Sequence, residues 1–232
     1  MSIASAIEEV YSEISAACAR AGRDPAEVTL VAVSKTVPVP LIREARAAGI
    51  RHLGENRVQE ILAKKPELED CGFTWHMIGS LQTNKVRLVL PHIHLLHSLD
   101  RENLAEEISR LRAAAPLPAL VQVNTTGEPT KSGVAPENLE ALIDRVRGLP
   151  GIDLRGLMTL GPLGGDEAGI RRAFALLRSL RDRLRLRHPD LAMNDLSMGM
   201  SGDFPLAVEE GATLIRVGSR IFGARPAPGP ER

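Results

Sequence analysis

The chain has 232 residues, with 29 Lys and Arg against 29 Asp and Glu and only six aromatic rings: one Trp, one Tyr and four Phe. Zero formal charge with so few stacking rings argues against a nucleic-acid binder, whose usual footprint is a basic face with aromatic platforms, and leaves small molecules as the expected partners. The length is close to the ~250 residues of a single α/β barrel and ample for a buried core.

In chain order, Ile3, Ile7, Val10, Ile14 and Cys18 recur at steps of four and three, with Ser2 placed to cap and Gly22 to stop an amphipathic helix. VTLVAVS, from Val28 to Ser34, is short, rich in β-branched residues and apolar on both faces, as a strand covered on both sides must be. Further strands are expected at HLG near His52, TWHMIG from Thr74, HIHLLHSL from His92, ALVQVN from Ala119, LRGLMT from Leu154, DLSM from Asp195 and TLIRVG from Thr213. Helical spacing falls between them, most clearly at Leu104, Ile108 and Leu111, at Leu139, Leu142, Ile143 and Val146, and at Ile170, Phe174, Leu177, Leu180 and Leu184. Eight strand-then-helix units in this length predict a closed (β/α)8 barrel. An open doubly wound sheet is the alternative, but its first strand normally leads into a G-x-G-x-x-G turn, and this one ends in Ser34, Lys35 and Thr36.

No linker divides the chain, so one barrel with its N-terminal helix is expected over residues 1–224, followed by a Pro-rich disordered tail, RPAPGPER, over residues 225–232. Cys18 and Cys71 form no C-x-x-C pair, which points to a reducing cytoplasm, not a disulfide framework. There is no signal-like start and no run near the ~20 apolar residues of a membrane span, so a soluble, unprocessed protein is expected.

Lys35 directly follows the first strand, at the rim where barrels build their sites. Partial burial there would favour the neutral amine that attacks a carbonyl to form a Schiff base, although a lysine can also simply snorkel from a strand end. LSMGMSGDF and IRVGSRIFG share a second pattern: Ser201-Gly202 and Gly218-Ser219 fall where a strand ends and a helix begins, in units seven and eight. Barrels often hold a phosphate in those two loops, and the bland alternative is that these are turn and cap residues. Arg216 is a cation in an apolar strand with Ile215 and Val217 on the opposite face, so it would project into the mouth, toward a ligand or a scaffold carboxylate. His92 and His94 would share a strand face with His97 nearby, but no carboxylate or H-x-x-x-H pair accompanies them, and no metal site is expected. His76 would line the mouth or merely pack. An amine, an anion cradle and a barrel together fit a Schiff-base aldolase on a sugar phosphate or a protein holding pyridoxal 5′-phosphate (PLP).

VAVSKTVP (residues 31–38), HLGENRVQE (52–60), WHMIGSLQTNK (75–85), HSLD (97–100), KSGV (131–134), GLMT (156–159), LSMGMS (196–201) and IRVGSRIFGAR (215–225) closely resemble, in order and over nearly the whole chain, the PLP homeostasis protein family. The resemblance implies a single-domain barrel of the alanine-racemase type, fold type III, with Lys35 carrying PLP as a Schiff base. It further implies phosphate contacts at Ser201, Gly218 and Ser219, Arg216 facing the pyridine nitrogen and Asn56 near the ring hydroxyl; Lys131 receives no role. An arginine at that nitrogen keeps it unprotonated and makes the ring a weaker electron sink.

Racemisation needs a second base, usually a tyrosine from elsewhere, and the single tyrosine here is Tyr11 on the first helix. The expectation is therefore a cytoplasmic, monomeric PLP carrier or reservoir without robust turnover and without catalytic residues, whose recipients would be apo PLP enzymes. An amino-acid racemase and a Schiff-base aldolase are the alternatives.

Overall fold

A computed structural model describes residues 2–162 and 164–223. Eight strands, β1 (Thr29–Val33), β2 (His52–Glu55), β3 (Thr74–Met77), β4 (Leu95–Leu99), β5 (Leu117–Gln122), β6 (Ile152–Met158), β7 (Asp195–Met200) and β8 (Leu214–Val217), pair in parallel and in sequence order. β8 returns to β1, with Val31 opposite Arg216 and Ala32 opposite Val217, so the sheet closes and the open-sheet alternative is excluded. The 225–232 tail lies outside the described residues.

The first helix, α1 (Ile3–Ala21), begins and ends where its local chemistry dictates. Ser2 accepts the Ser5 N–H through Oγ at 3.1 Å, and Gly22, at φ 65°, closes it in the left-handed conformation that glycine adopts without a Cβ penalty. Its buried face is Ala6, Ile7, Val10, Ile14, Ala17 and Cys18. The outer layer continues with α2 (Val39–Ala47), α3 (Val58–Lys64), α4 (Val86–Val89), α5 (Glu102–Arg112), α6 (Leu139–Val146), α7 (Glu167–Arg187), α8 (Phe204–Glu209) and α9 (Ser219–Phe222). Most of the core lies between strands and helices, where Trp75, Phe174 and Phe204 are among the largest buried side chains. α1 packs on α2, α8 and α9, and Arg20 bonds Glu209 of α8 at 2.6 Å while Arg220 of α9 pairs with Glu13.

Inside the barrel, alternation along each strand selects one residue in two. Val31, Leu95, Leu120, Met158 and Leu214 form a small apolar plug apart from the main core. Ile215 and Val217 belong to the outer core, which leaves Arg216 facing in, as the alternation predicts. The fourth strand departs from expectation, because it starts at Leu95 and not at His92. Pro91 lies in a 3-10 turn, Leu90–His92, which cannot extend the ladder. His92 is therefore half-buried in that turn and His94 precedes the strand, its Nδ1 accepting the Trp75 N–H at 3.0 Å; the two do not share a strand face.

Candidate functional site

At the C-terminal mouth of the barrel lies a cavity of about 510 Å³, in the size range of small-molecule sites. Lys35, Asn56, Ser201, Arg216, Gly218 and Ser219 all line it, so residues spread over most of the chain converge on one space. Another cavity, of about 540 Å³, shares Asn56 and Ser80 with it but is otherwise lined by Arg57, Gln59, Glu60, Gln82, Lys85 and their neighbours, and neither Lys35 nor Arg216 lines it.

Lys35 is half-buried just past β1, and both of its neighbours are tied down. Ser34 Oγ donates to Glu55 Oε1 at 2.7 Å, and the Ser34 carbonyl accepts Lys64 Nζ at 2.7 Å. Thr36 sits at φ 62°, a left-handed conformation disfavoured for a β-branched residue, and its N–H donates to Glu60 Oε2 at 2.7 Å. Lys64 also bonds Glu55 Oε1 at 2.7 Å and Glu60 Oε2 at 2.8 Å, which joins the two carboxylates into one cluster beneath the Lys35 backbone. Burial raises the Glu55 carboxyl above its ordinary range against the pull of Lys64 and Ser34. Burial also acts to raise Glu60, but the bonds from Lys64 and Thr36 outweigh it and leave that carboxyl lowered. Sequence reasoning singles out none of these three; the available signal is the four-residue spacing of Glu60 and Lys64 on one helical face.

Arg216 is 3 % exposed. Its Nη1 donates to Ser197 Oγ at 2.5 Å and its Nη2 to the Thr159 carbonyl at 2.8 Å, both neutral acceptors. Asp203 is the carboxylate that acts on it through space, but Asp203 Oδ1 is taken by the Met200 N–H at 2.5 Å. Burial pushes the guanidinium down to about 10, with Asp203 opposing, so it remains charged at neutral pH. The scaffold thus provides a buried cation that, among the described residues, has no carboxylate in hydrogen-bond contact and that faces a cavity.

The two loops expected to form an anion cradle differ from one another. The N-cap of α8 is Asp203, so Ser201 and Gly202 form the turn before the helix and do not open it. Gly218 caps α9 and Ser219 is its first residue, whose N–H has no acceptor within so short a helix. With helices of six and four residues, individual N–H and hydroxyl donors matter here and the macrodipole counts for little. The loops are joined by the Gly218 N–H, which donates to Ser201 Oγ at 3.2 Å. A Cβ on Gly218 would lie 3.1 Å from the Val33 carbonyl oxygen, so glycine lets this loop close onto the end of β1, beside Lys35.

Asn56 lines the mouth just after β2, and the backbone of Gly79 presses so closely on it that a Cβ there would sit 2.2 Å from the Asn56 carbonyl oxygen. Lys131 also lines the cavity, bonded to Glu128 Oε1 at 2.7 Å and to the Gly161 carbonyl at 2.8 Å. His76 and His97 lie below the mouth, inside the barrel, at 2 % and 0 % exposure. Tyr11, 42 % exposed on α1, stands outside the barrel wall.

The family model for the alanine racemase N-terminal domain matches residues 7–226. A pyridoxal phosphate homeostasis protein of Pseudomonas aeruginosa is 47% identical over 225 residues, covering 96% of both chains, and one of Escherichia coli K12 is 41% identical over 231 residues, covering 96% of this chain and 97% of that one. The chain belongs to the pyridoxal phosphate homeostasis protein family. A solved member, PipY of Synechococcus elongatus with PLP bound, is 42% identical with a TM-score of 0.85, and the match covers 95% of this chain and all of that one. Alanine racemase of Corynebacterium glutamicum, at 17% identity and a TM-score of 0.66, matches 97% of this chain and 62% of its own and shares the fold. In this homeostasis-family barrel the cavity gathers two primary amines, that of Lys35 and that of Lys131, which is already bonded to Glu128 and the Gly161 carbonyl, with one buried guanidinium and several hydroxyl and N–H donors. That donor set suits a ligand with a carbonyl carbon, a ring acceptor and an anionic group.

Proposed function

We propose that the cavity holds PLP through Lys35 and that the protein serves as a carrier or reservoir in intracellular PLP homeostasis. The observation that carries this reading is the buried Arg216, paired only with neutral acceptors, in the same cavity as the Lys35 amine and the joined Ser201 and Gly218 loops. A desolvated cation calls for a partner, and a pyridine nitrogen or an anion supplies one. The aldehyde of PLP condenses with a primary amine to a Schiff base with loss of water, and hydrolysis reverses it.

In this reading Lys35 is the linking amine, Arg216 donates toward the ring nitrogen and Asn56 lies near the ring hydroxyl. The Ser201 hydroxyl, held by the Gly218 N–H, and Ser219 offer donors to the phosphate, with Gly218 closing the loop around it, and the Glu55, Lys64 and Glu60 cluster orients Lys35 by holding Ser34 and Thr36. The homeostasis names of the relatives and the PLP in PipY support it. We further propose no robust turnover, because Tyr11 on α1 is not placed to serve as a second base above the cavity. The setting proposed is a reducing cytoplasm, on the two free buried thiols Cys18 and Cys71, with a monomer passing cofactor to apo PLP enzymes. Among the described residues no helix is long and apolar enough to cross a membrane.

The test is a spectrum of the purified protein with PLP added. A visible band that borohydride abolishes while fixing the cofactor on Lys35, and that Lys35→Ala lacks, is expected; a colourless wild type ends the reading. Single enantiomers of amino acids then separate carrier from racemase, since sustained inversion that needs Lys35 would overturn the claim of no turnover. Ser201→Asp is expected to weaken retention by like-charge repulsion of the phosphate, and unchanged retention would move the phosphate elsewhere.

A further inference from the structure

The barrel interior contains a line of polar side chains for which the proposed ligand contacts have no direct use. His52 on β2, His76 on β3 and His97 on β4 take inward positions on three neighbouring strands, places that barrels usually fill with branched apolar residues. His52 Nδ1 lies 3.0 Å from His76 Nε2, His76 Nδ1 lies 2.9 Å from His97 Nε2, and His97 Nδ1 lies 2.8 Å from Ser197 Oγ. Ser197 stands across the barrel on β7 and accepts Arg216 Nη1 at 2.5 Å. The line therefore runs from half-buried His52, at the start of β2, to the guanidinium beneath the mouth.

The chemistry of the end groups sets its direction. A guanidinium can only donate, so Ser197 Oγ accepts from Arg216, and the one proton of that hydroxyl has His97 Nδ1 as its partner among the described residues. A ring that accepts at Nδ1 carries its proton on Nε2, which His97 then donates to His76 Nδ1. His76 in turn donates from Nε2 to His52 Nδ1. Every ring is then neutral and every bond points from Arg216 toward the floor. The opposite direction strands the Ser197 proton without an acceptor in a fully buried site. A doubly protonated His76 or His97 would set donor against donor, and burial, with His76 and Arg216 adding to it, already holds His97 well below the ordinary imidazole range.

We propose that His97, set by His76 and His52, is a positioning residue for Arg216: it takes up the Ser197 proton, so that this hydroxyl serves the guanidinium only as an acceptor and Arg216 keeps a donor free toward the cavity. In the reading above, on which the identity of the acceptor rests, that donor meets the ring nitrogen of PLP. The imidazole line then keeps the nitrogen unprotonated and the ring a weak electron sink, which suits holding the cofactor over using it.

Two measurements test this. In the ligand-free protein, nitrogen-proton correlation spectra of the imidazole rings are expected to show His52, His76 and His97 with the proton on Nε2. His76 and His97 should also stay neutral from about pH 7 to about pH 5, where a free imidazole titrates. A proton on His97 Nδ1, or a His97 that titrates in that range, overturns the proposal, and no variant is needed to see it. The second measurement loads ring-15N-labelled PLP into wild type, His97→Asn and His97→Leu. The asparagine carbonyl can still take the Ser197 proton and leucine cannot, so His97→Asn should keep the wild-type ring-nitrogen shift and His97→Leu should move it. A wild-type shift in His97→Leu overturns the proposal. If wild type takes up no PLP at all, the cofactor reading fails, while the imidazole spectra still decide the direction of the line.

Discussion

The two sides of the barrel interior are filled by opposite means. Val31, Leu95, Leu120, Met158 and Leu214 form a plug that stabilises by excluding water and has no preferred direction. His52, His76, His97, Ser197 and Arg216 occupy comparable inward positions, yet every member must find a specific partner. A buried polar network adds little net stability when complete and costs heavily when broken, so its contribution is the definition of one arrangement. The plug keeps the barrel closed, and the polar line aims a cation.

That contrast can be broken from either side. The largest effect is expected for Leu120→Ala, in a wholly buried position, at about 2–5 kcal/mol. Its urea midpoint should fall while the band of bound cofactor stays in place; an unmoved midpoint would mean that the plug does not carry stability. Ser197→Ala should cost less, about 1–3 kcal/mol, because it orphans Arg216 Nη1 and His97 Nδ1. Here the loss of thermal stability should come with a loss of cofactor retention, which is not expected of Leu120→Ala.

Acid should act on the polar side alone. Burial, with His52 and His94 adding to it and His97 bonded alongside, pushes His76 down to about 3, against about 6.5 in an unfolded chain. Between those values the unfolded state binds the proton and the folded state does not. Stability is then full above about pH 6.5 and falls toward pH 3 by about 1.4 kcal/mol per pH unit for each such ring. Urea midpoints measured across that window check the slope, and His76→Gln should flatten it. The smallest effect is expected for Leu120→Met, below about 1.5 kcal/mol, since a plug tolerates a volume-conserving change. A larger loss on thermal denaturation would show that the plug, too, depends on detailed shape.

Much of this architecture is legible in the sequence because it follows from repeating physical patterns. Ser2 and Gly22 bound α1 as cap and stop, and the apolar run at Val28 to Ser34 contains β1, because each signal is local. The barrel follows from counting such runs. The start of β4 is misread because His92, Ile93 and His94 alternate like a strand, while Pro91 puts a 3-10 turn there instead. The cavity residues are legible where they stand near strand ends, as Lys35 does just past β1 and Arg216 within β8. The roles of His76 and His97 and the tie of Glu55 and Glu60 through Lys64 are not, since each depends on which side chains from separate strands and helices meet. Composition along the chain does not encode that meeting.

The packing of α1 on α8 and α9 has a consequence for synthesis. The earliest described helix packs on α2 but finds its larger contacts in the last two described helices, and β1 finds its closing neighbour only in β8. Such pairings between distant parts of the chain slow folding and cannot begin until the later part exists. A nascent chain on the ribosome therefore displays Lys35 long before Arg216, Gly218 and Ser219 arrive to complete the cavity around it. In the proposed reading, retention of the cofactor waits for the finished molecule, and a chain cut short before β8 would have an open seam beside the cavity.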